Sequence, residues 1–406
     1  MKSVQAGTLA AMVERRSLAS AAEIAKLGDI AAEAGLARVS MLAWRDLDDP
    51  EAGGSEVHAS TVARLWAEAG IEVTIRTSFA AGQQQVRWRD GYRVIRKAGR
   101  YMVFPRAAFS EMMGWHGGKD GLVEIWNGMP FLSPLWARTP NVTWLHHVHA
   151  DMWNMTLPPN LATMGRTLES RIAPRFYRRT PIVTLSESSK RELVHDLHFK
   201  PSMVHVTPPG IDPRFSPGGE KSPTPLVVAV GRLVPVKQFE QLVDAIIALR
   251  ARHPGLQAII VGEGYRRDQL EHQIHESGAE GYVHLPGRLT DDEIIALYRR
   301  AWILASTSAR EGWGMTLTEA AACGTPAVAT RIAGHSDAIA EGESGLLVDT
   351  HAELIGGMDR VLSDHALRNQ LAAGALSHAS RFTWAATARG TLEVLAAEAI
   401  RRRGRP

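Results

Sequence analysis

The stretch SAREGWGMTLTEAAACGTP, residues 308–326, places two carboxylates, Glu311 and Glu319, on either side of a Gly-Trp-Gly turn that opens an Ala-rich, helix-like run ending at Gly324. If the helix starts near Gly314, its first N–H groups, from about Met315 to Thr318, are free to receive an anion beside Glu311, with Glu319 one turn further in. The pair could be an acid and a base, or acceptors for the hydroxyls of a bound molecule. It could also be acidic residues drawn to a helix start by the dipole.

Other stretches narrow the choice. In VAVGRLVPVKQFEQL, Arg232 and Lys237 follow a strand-like run and precede a helix-like one. Both can reach a diphosphate, Arg232 through its planar fork and Lys237 as a point charge. In PEAGGSEVHAS, Gly53 and Gly54 separate a strand from a helix, where the missing Cβ lets backbone N–H groups approach a phosphate; a plain turn with Ser55 as helix cap is the competing reading. WLHHVHAD supplies His146, His147 and His149 at a strand end. Alternation puts His147 and His149 on one face and His146 on the other, which disfavours a three-histidine metal site and favours contact with a ligand's hydroxyl or phosphate. VGEGYRR lacks the third glycine and the position of a dinucleotide fingerprint, so no nicotinamide site is expected. Carboxylates accept hydrogen bonds from vicinal hydroxyls, so two of them flanking an anion-receiving helix end suit a sugar nucleotide.

The elements that position these residues follow from the apolar pattern. Strand-like runs such as ARVSMLAW, IEVTIRTS, LVEIWN, NVTWLHHVH and PIVTLSES alternate with amphipathic stretches, the signature of a parallel sheet covered by helices. Five prolines and three glycines within residues 209–225 interrupt the series, and a second alternation begins at LVVAVGRL. The expected domains are a helical N-terminal extension (1–37), a Rossmann-like domain (38–212), a second one (213–380) and a C-terminal helix (381–406) crossing back to the first. Ligands bind such sheets beyond the C-terminal strand ends. In a chain of 406 residues, 46 basic and 43 acidic side chains nearly balance, which argues against a dedicated nucleic-acid binder. The single cysteine, Cys323, excludes a disulfide framework and fits a reducing, cytoplasmic setting. No secretory signal and no membrane-spanning run is evident. Basic clusters at Arg171–Arg179 and in the tail RRRGRP read as solvated faces or as a weak peripheral contact with anionic lipid or an anionic acceptor.

Together these stretches resemble the retaining GT-B glycosyltransferases of glycosyltransferase family 4 (glycosyl transferases group 1). VGRLVPVK is similar to the family's GRL-x3-K, EGWGMTLTEAAACGTPAV to its E-x7-E block, and AGHSDAIAEGESGLLV to its G-G-x-x-E segment, with Asp337 where Glu is usual and Gln238 where Gly is frequent. The resemblance implies a GT-B fold of two Rossmann-like domains across a cleft, acceptor on the first and donor on the second. It implies metal-independent transfer of a hexose-type sugar from a nucleoside diphosphate to a hydroxyl of a glycan, glycolipid or small molecule, with no cofactor beyond that co-substrate. Glu311 would hold the transferred sugar, Glu319 the ribose, and Arg232 and Lys237 the diphosphate, together with backbone at Gly53, Gly54, Gly312, Gly314, Met315 and Thr316. One strand-end histidine, His146 or His149 as leading choices, would face the sugar. A sugar-nucleotide epimerase, a disaccharide phosphorylase or a non-catalytic sugar-nucleotide binder are the alternatives.

Overall fold

Strands buried on both faces read as short continuous apolar runs, and in the computed structural model these runs assemble into two sheets. The structure describes residues 17–80, 82–115, 117–150, 152–156 and 158–404. In chain order the first part contains α1 (Ala21–Glu33), β1 (Arg38–Leu42), α2 (Gly54–Glu68), β2 (Glu72–Ser78), β3 (Val86–Arg89), β4 (Tyr92–Ala98), α3 (Val103–Met112), β5 (Gly121–Trp126), α4 (Ser133–Trp136), β6 (Asn141–Leu145), α5 (Met152–Thr156), α6 (Pro159–Thr167), a π-helical turn (Leu168–Ile172), α7 (Ala173–Tyr177), β7 (Ile182–Thr184), α8 (Glu187–His195) and β8 (Val204–Val206). The second contains β9 (Leu226–Val230), a 3-10 turn (Pro235–Lys237), α9 (Phe239–Arg250), β10 (Gln257–Val261), α10 (Arg267–Glu276), β11 (Val283–Gly287), α11 (Asp291–Arg300), β12 (Ile303–Ser306), α12 (Met315–Ala322), β13 (Ala327–Thr330), α13 (His335–Ala338), β14 (Gly345–Val348), α14 (His351–Ser363), α15 (His365–Ala379) and α16 (Trp384–Arg403).

The second sheet runs β11-β10-β9-β12-β13-β14, all parallel, and reverses direction of winding at β9. The first runs β3-β4-β2-β1-β5-β6-β7-β8, parallel except for β3, and reverses at β1. Two doubly wound sheets therefore present their switch points through the loops after β1 and β9, which are the loops carrying Gly53–Gly54 and Arg232–Lys237.

Two segments of the first domain stand outside the parallel strand–helix alternation. Residues 86–98 form an antiparallel hairpin; Asp90 at φ 43° and Gly91 at φ 86° make its two-residue turn. The segment after Ala150 is a chain of short helices. Of the N-terminal helical extension, residues 1–16 lie outside the described residues. The rest is α1, capped by Ser20 and Glu23, whose Leu27 and Ala31 bury against α2 and α16 in the first domain's core.

Chain crossings between the domains lie side by side. Ile211 N–H donates to Phe382 O (3.2 Å), and a Cβ on Gly210 would stand 2.1 Å from Trp384 N, so only glycine lets the two strands cross this closely. Beyond the crossing, α16 lies on the first domain: Trp384, Leu392 and Leu395 share a core with Trp66 and Trp144, and Trp66 Nε1 donates to Ala388 O (2.9 Å). The tail arginines are engaged there too, Arg401 and Arg402 on Glu398 and Arg403 on Glu33 O.

Candidate active site

The loops after β9 and β12 are tied together before any ligand is considered. Thr307 Oγ1 donates to Lys237 O (2.8 Å) and Gln238 O (2.9 Å), and Ala309 N–H donates to Val236 O (2.8 Å). This pins the 3-10 turn so that Lys237 Nζ meets Glu311 Oε1 at 2.5 Å, while Ser308 Oγ donates to the same oxygen at 3.0 Å. Gln238 closes the turn at φ 48°, a left-handed conformation that explains why glycine suits this position.

Partial burial works to raise the Glu311 carboxyl, but Lys237, His335 and Ser308 outweigh it and hold it at about 2. Glu319 is in the opposite state. Burial, with the negative potential of Asp291 and Asp212, pushes it to about 7, and only the neighbouring Tyr298 hydroxyl opposes the rise. The two carboxylates are thus set apart by environment: Glu311 is a fixed anion, and Glu319 titrates near neutrality.

α12 begins after Gly314, whose φ of 99° turns the chain into the helix. Leu317 N–H is taken by Gly314 O, which leaves Met315 and Thr316 at the free end. Facing it across the cleft is the β1–α2 turn: a Cβ on Gly54 would sit 3.0 Å from Met315 Sδ. Gly53 caps α2, its N–H held by Glu56 Oε2 (2.8 Å), and Ser55 lies inside the helix instead of capping it. Beside Gly53 stands Arg232, its Nε 3.8 Å from where a Cβ would be. Burial and the nearby Arg45 depress the Arg232 guanidinium, while Glu56, Glu311 and Glu51 support its charge. Arg45 is itself buried, paired with Glu51 (3.1 Å) and Glu56 (3.5 Å). The exposed Arg232 and the α12 end meet at one glycine turn, with buried Arg45 behind it and Lys237 linked through Glu311, an arrangement that compensates a polyanion.

The histidines separate as alternation suggests. His146 is turned into the core, its ring 4.9 Å from His58, and burial lowers it to about 3. His147 stacks on His149 (4.8 Å between rings) and lies near Glu311, Arg310 and Arg232; burial first, then its cationic neighbours, lower it to about 3, and its Nε2 has no hydrogen-bond partner. His149 is held from behind by Glu169, which accepts the N–H groups of His149 (2.9 Å) and Ala150 (3.1 Å) and Trp153 Nε1 (2.9 Å). The ring beside the donor-side residues is therefore that of His147, between the two leading choices. Among the described residues no group of three or more His, Cys, Asp or Glu side chains could hold a metal ion.

Arg45, Ser308, His335 and Glu169 escape sequence reasoning. Arg45 has a legible signal, since it follows β1 much as Arg232 follows β9; Glu169, on a remote helical turn, has none. Asp337 caps α8 of the first domain through the N–H groups of Glu187 (3.1 Å) and Ser188 (3.2 Å). The glycines of VGEGYRR serve packing: a Cβ on Gly262 would lie 1.9 Å from Gly231 O, and one on Gly264 2.2 Å from Leu233 O.

Comparison with known proteins accounts for both halves. The family described as Glycosyl transferases group 1 matches residues 212–378, and Glycosyltransferase Family 4 matches residues 52–215. A D-inositol 3-phosphate glycosyltransferase of Acidothermus cellulolyticus is 30% identical over 434 aligned positions, covering 92% of this chain and 94% of that protein. One from Corynebacterium glutamicum is 29% identical, covering 83% and 90%. In fold, a sucrose-phosphate synthase from Thermosynechococcus elongatus superposes with a TM-score of 0.75 at 18% identity, over 87% of this chain and 97% of that one. The Anabaena HepE protein in complex with UDP and glucose does so with a TM-score of 0.70 at 20% identity, over 89% and 99%. With both Rossmann-like domains matched and the E-x7-E block, Arg232 and Lys237 gathered at one cleft, the chain belongs to the glycosyl transferases group 1, the family 4 glycosyltransferases of GT-B fold.

Proposed function

We propose that the protein transfers a hexose-type sugar from a nucleoside diphosphate to an acceptor hydroxyl with retention of anomeric configuration and without a metal ion. The observation that carries this reading is the meeting of Arg232 and the α12 N-terminus at the Gly53–Gly54 turn, with Lys237 joined to that group through Glu311, which is salt-bridged to Lys237 and supports the charge of Arg232. Departure of the diphosphate develops negative charge on its bridging oxygen, which those cations and N–H groups stabilise as it grows. A carboxyl held at about 2 is a poor general base near neutral pH, which leaves Glu311 as an acceptor for sugar hydroxyls. The bond from the anomeric carbon to phosphate oxygen breaks while the bond to the acceptor oxygen forms on the same face, and the acceptor's proton passes to the departing phosphate oxygen. Neutral His147, beside Glu311 and Arg232, is the histidine we assign to the donor sugar, and Glu319 is assigned to the ribose hydroxyls.

UDP-hexoses are the first donors to assay, because solved relatives of the fold are complexes with UDP and UDP-glucose. Inositol phosphates are the first acceptors, given the names of the sequence relatives. The test is a donor panel with each acceptor in the presence of EDTA, the product's anomeric configuration being read by NMR. Transfer with retention is expected; an inverted product, a requirement for added metal, or free epimer formed without acceptor would overturn the proposal.

A further inference from the structure

The helical run from α6 through the π-turn to α7 has two apolar sides, and only one is used. Its inner side is small and buried: Ala162, Gly165 and Ala173, with Tyr177, pack inward, and a Cβ on Gly165 would stand 2.7 Å from the Trp153 ring. On the other side Leu161, Met164, Leu168, Ile172 and Phe176 recur at intervals of three and four, the spacing of a single helix face. Leu161 is 47% exposed, Met164 62%, Ile172 44% and Phe176 42%. A helix that buries its small residues and shows its large ones to solvent has a second surface without a partner.

The face extends beyond one helix. α7 touches α4, whose Leu135 is exposed, and α4 touches α3, where Phe109 and Met112 are exposed, as is Trp115 just beyond its end. Its charge is of one sign. Arg171, Arg175, Arg178 and Arg179 flank the stripe and are exposed, while the only described carboxylates along α3, α4 and residues 158–180 are Glu111 and Glu169, both buried and engaged with Arg76 and Lys119 or with His149 and Trp153. Exposed apolar side chains bordered by arginine, without exposed acid, match the boundary between acyl chains and anionic headgroups.

We propose that the α3–α4–α6–α7 face of the first domain is a docking surface for an anionic lipid bilayer, entered by the Leu161–Phe176 stripe and held by the flanking arginines. The inner side of the same helical run holds His149 through Glu169, and α5 just before it contacts the Pro235–Lys237 turn, so docking sets the cleft mouth beside the headgroups.

Co-sedimentation with phosphatidylcholine vesicles, with and without phosphatidylglycerol, tests the surface independently of catalysis. The protein should pellet with the anionic vesicles at low salt and be released by high salt. Arg175→Gln with Arg179→Gln should weaken binding about fivefold for each arginine removed. Ile172→Glu with Phe176→Glu should abolish it at any salt. In both variants the thermal upshift given by UDP, recorded alongside, should equal that of the wild type; it separates a failed surface from a misfolded chain and from a wrong donor assignment. Wild-type protein that ignores both vesicles overturns the proposal. So does equal binding to neutral ones, or a concentration-dependent dimer in light scattering that Ile172→Glu dissociates, which would give the stripe to a second copy of this chain.

Discussion

Lys237 and Glu311 neutralise one another at 2.5 Å, so neither can be changed without leaving the other exposed to the full cost of an uncompensated, partly buried charge. Lys237→Ala is expected to lower kcat/KM several hundredfold, on the scale of about 3–4 kcal/mol for one transition-state donor. Steady-state kinetics checks this, and near-wild-type turnover would remove Lys237 from the diphosphate site. Glu319 gives a pH signature. Its folded value of about 7 lies above the ordinary 4.5, so the folded protein keeps a proton that the unfolded chain releases, and this group's contribution to stability is lost as pH rises through that interval. Donor binding runs the other way, because ribose hydroxyls are accepted by the ionised carboxylate. Calorimetric titration with the nucleotide should show affinity increasing from about pH 6 to about pH 8, and Glu319→Gln should flatten the slope. An unchanged slope in that variant would assign the titration to another group.

At the scale of elements, the site depends on how closely backbones approach. A Cβ on Gly312 would stand 2.5 Å from His146 O, across the domain boundary. Gly312→Ala should therefore hold the β12–α12 loop off the strand-end histidines and lower kcat/KM on the order of a hundredfold, with the thermal melt little changed. Kinetics like the wild type's would mean that this approach is not needed for turnover. The same scale shows what sequence can carry. In the second domain the strands β9–β14 and the helices α9–α12 were legible, because the parallel strands are short apolar runs and those helices are amphipathic, while α13, α14 and α15 were not. In the first domain β1, β2, β5, β6 and β7 were legible, as were α2 and α8, whereas β3, β4, β8 and the short helices after Ala150 were not. The 86–98 hairpin lay under a run of Gln and Arg, although its Asp90–Gly91 turn was a usable signal. The helices after Ala150 were obscured because α6 and α7 show large apolar residues outward and bury small ones. The histidine facing the donor side could not be chosen from sequence, because the chain leaves β6 at Leu145 and its course is then fixed by Glu169 from a distant turn.

For the whole molecule, the domains are clasped at several points. Arg310 of the second reaches into the first, donating to Val148 O and to Glu192 Oε2 (2.6 Å); Asp337 caps α8; Arg288 donates to Pro50 O (2.9 Å). Burial raises the Glu192 carboxyl, and Arg310 counters it, so the clasp loses a buried partner when either side is removed. Arg310→Ala should open the molecule, enlarging the radius of gyration in solution scattering and raising the donor KM roughly tenfold, as loss of one charge-assisted hydrogen bond implies. Identical scattering from both proteins would show that closure rests on other contacts.

The return of α16 across the Gly210–Thr383 crossing also sets an order of events during synthesis. Residues 226–379 supply every strand and helix of the second domain in one continuous run, whereas the first domain's core lacks Trp384, Leu392 and Leu395 until the last helix has been made. On a ribosome the domain begun first is thus completed last, and its half-finished sheet must wait for the whole donor domain to emerge before α16 can cover it.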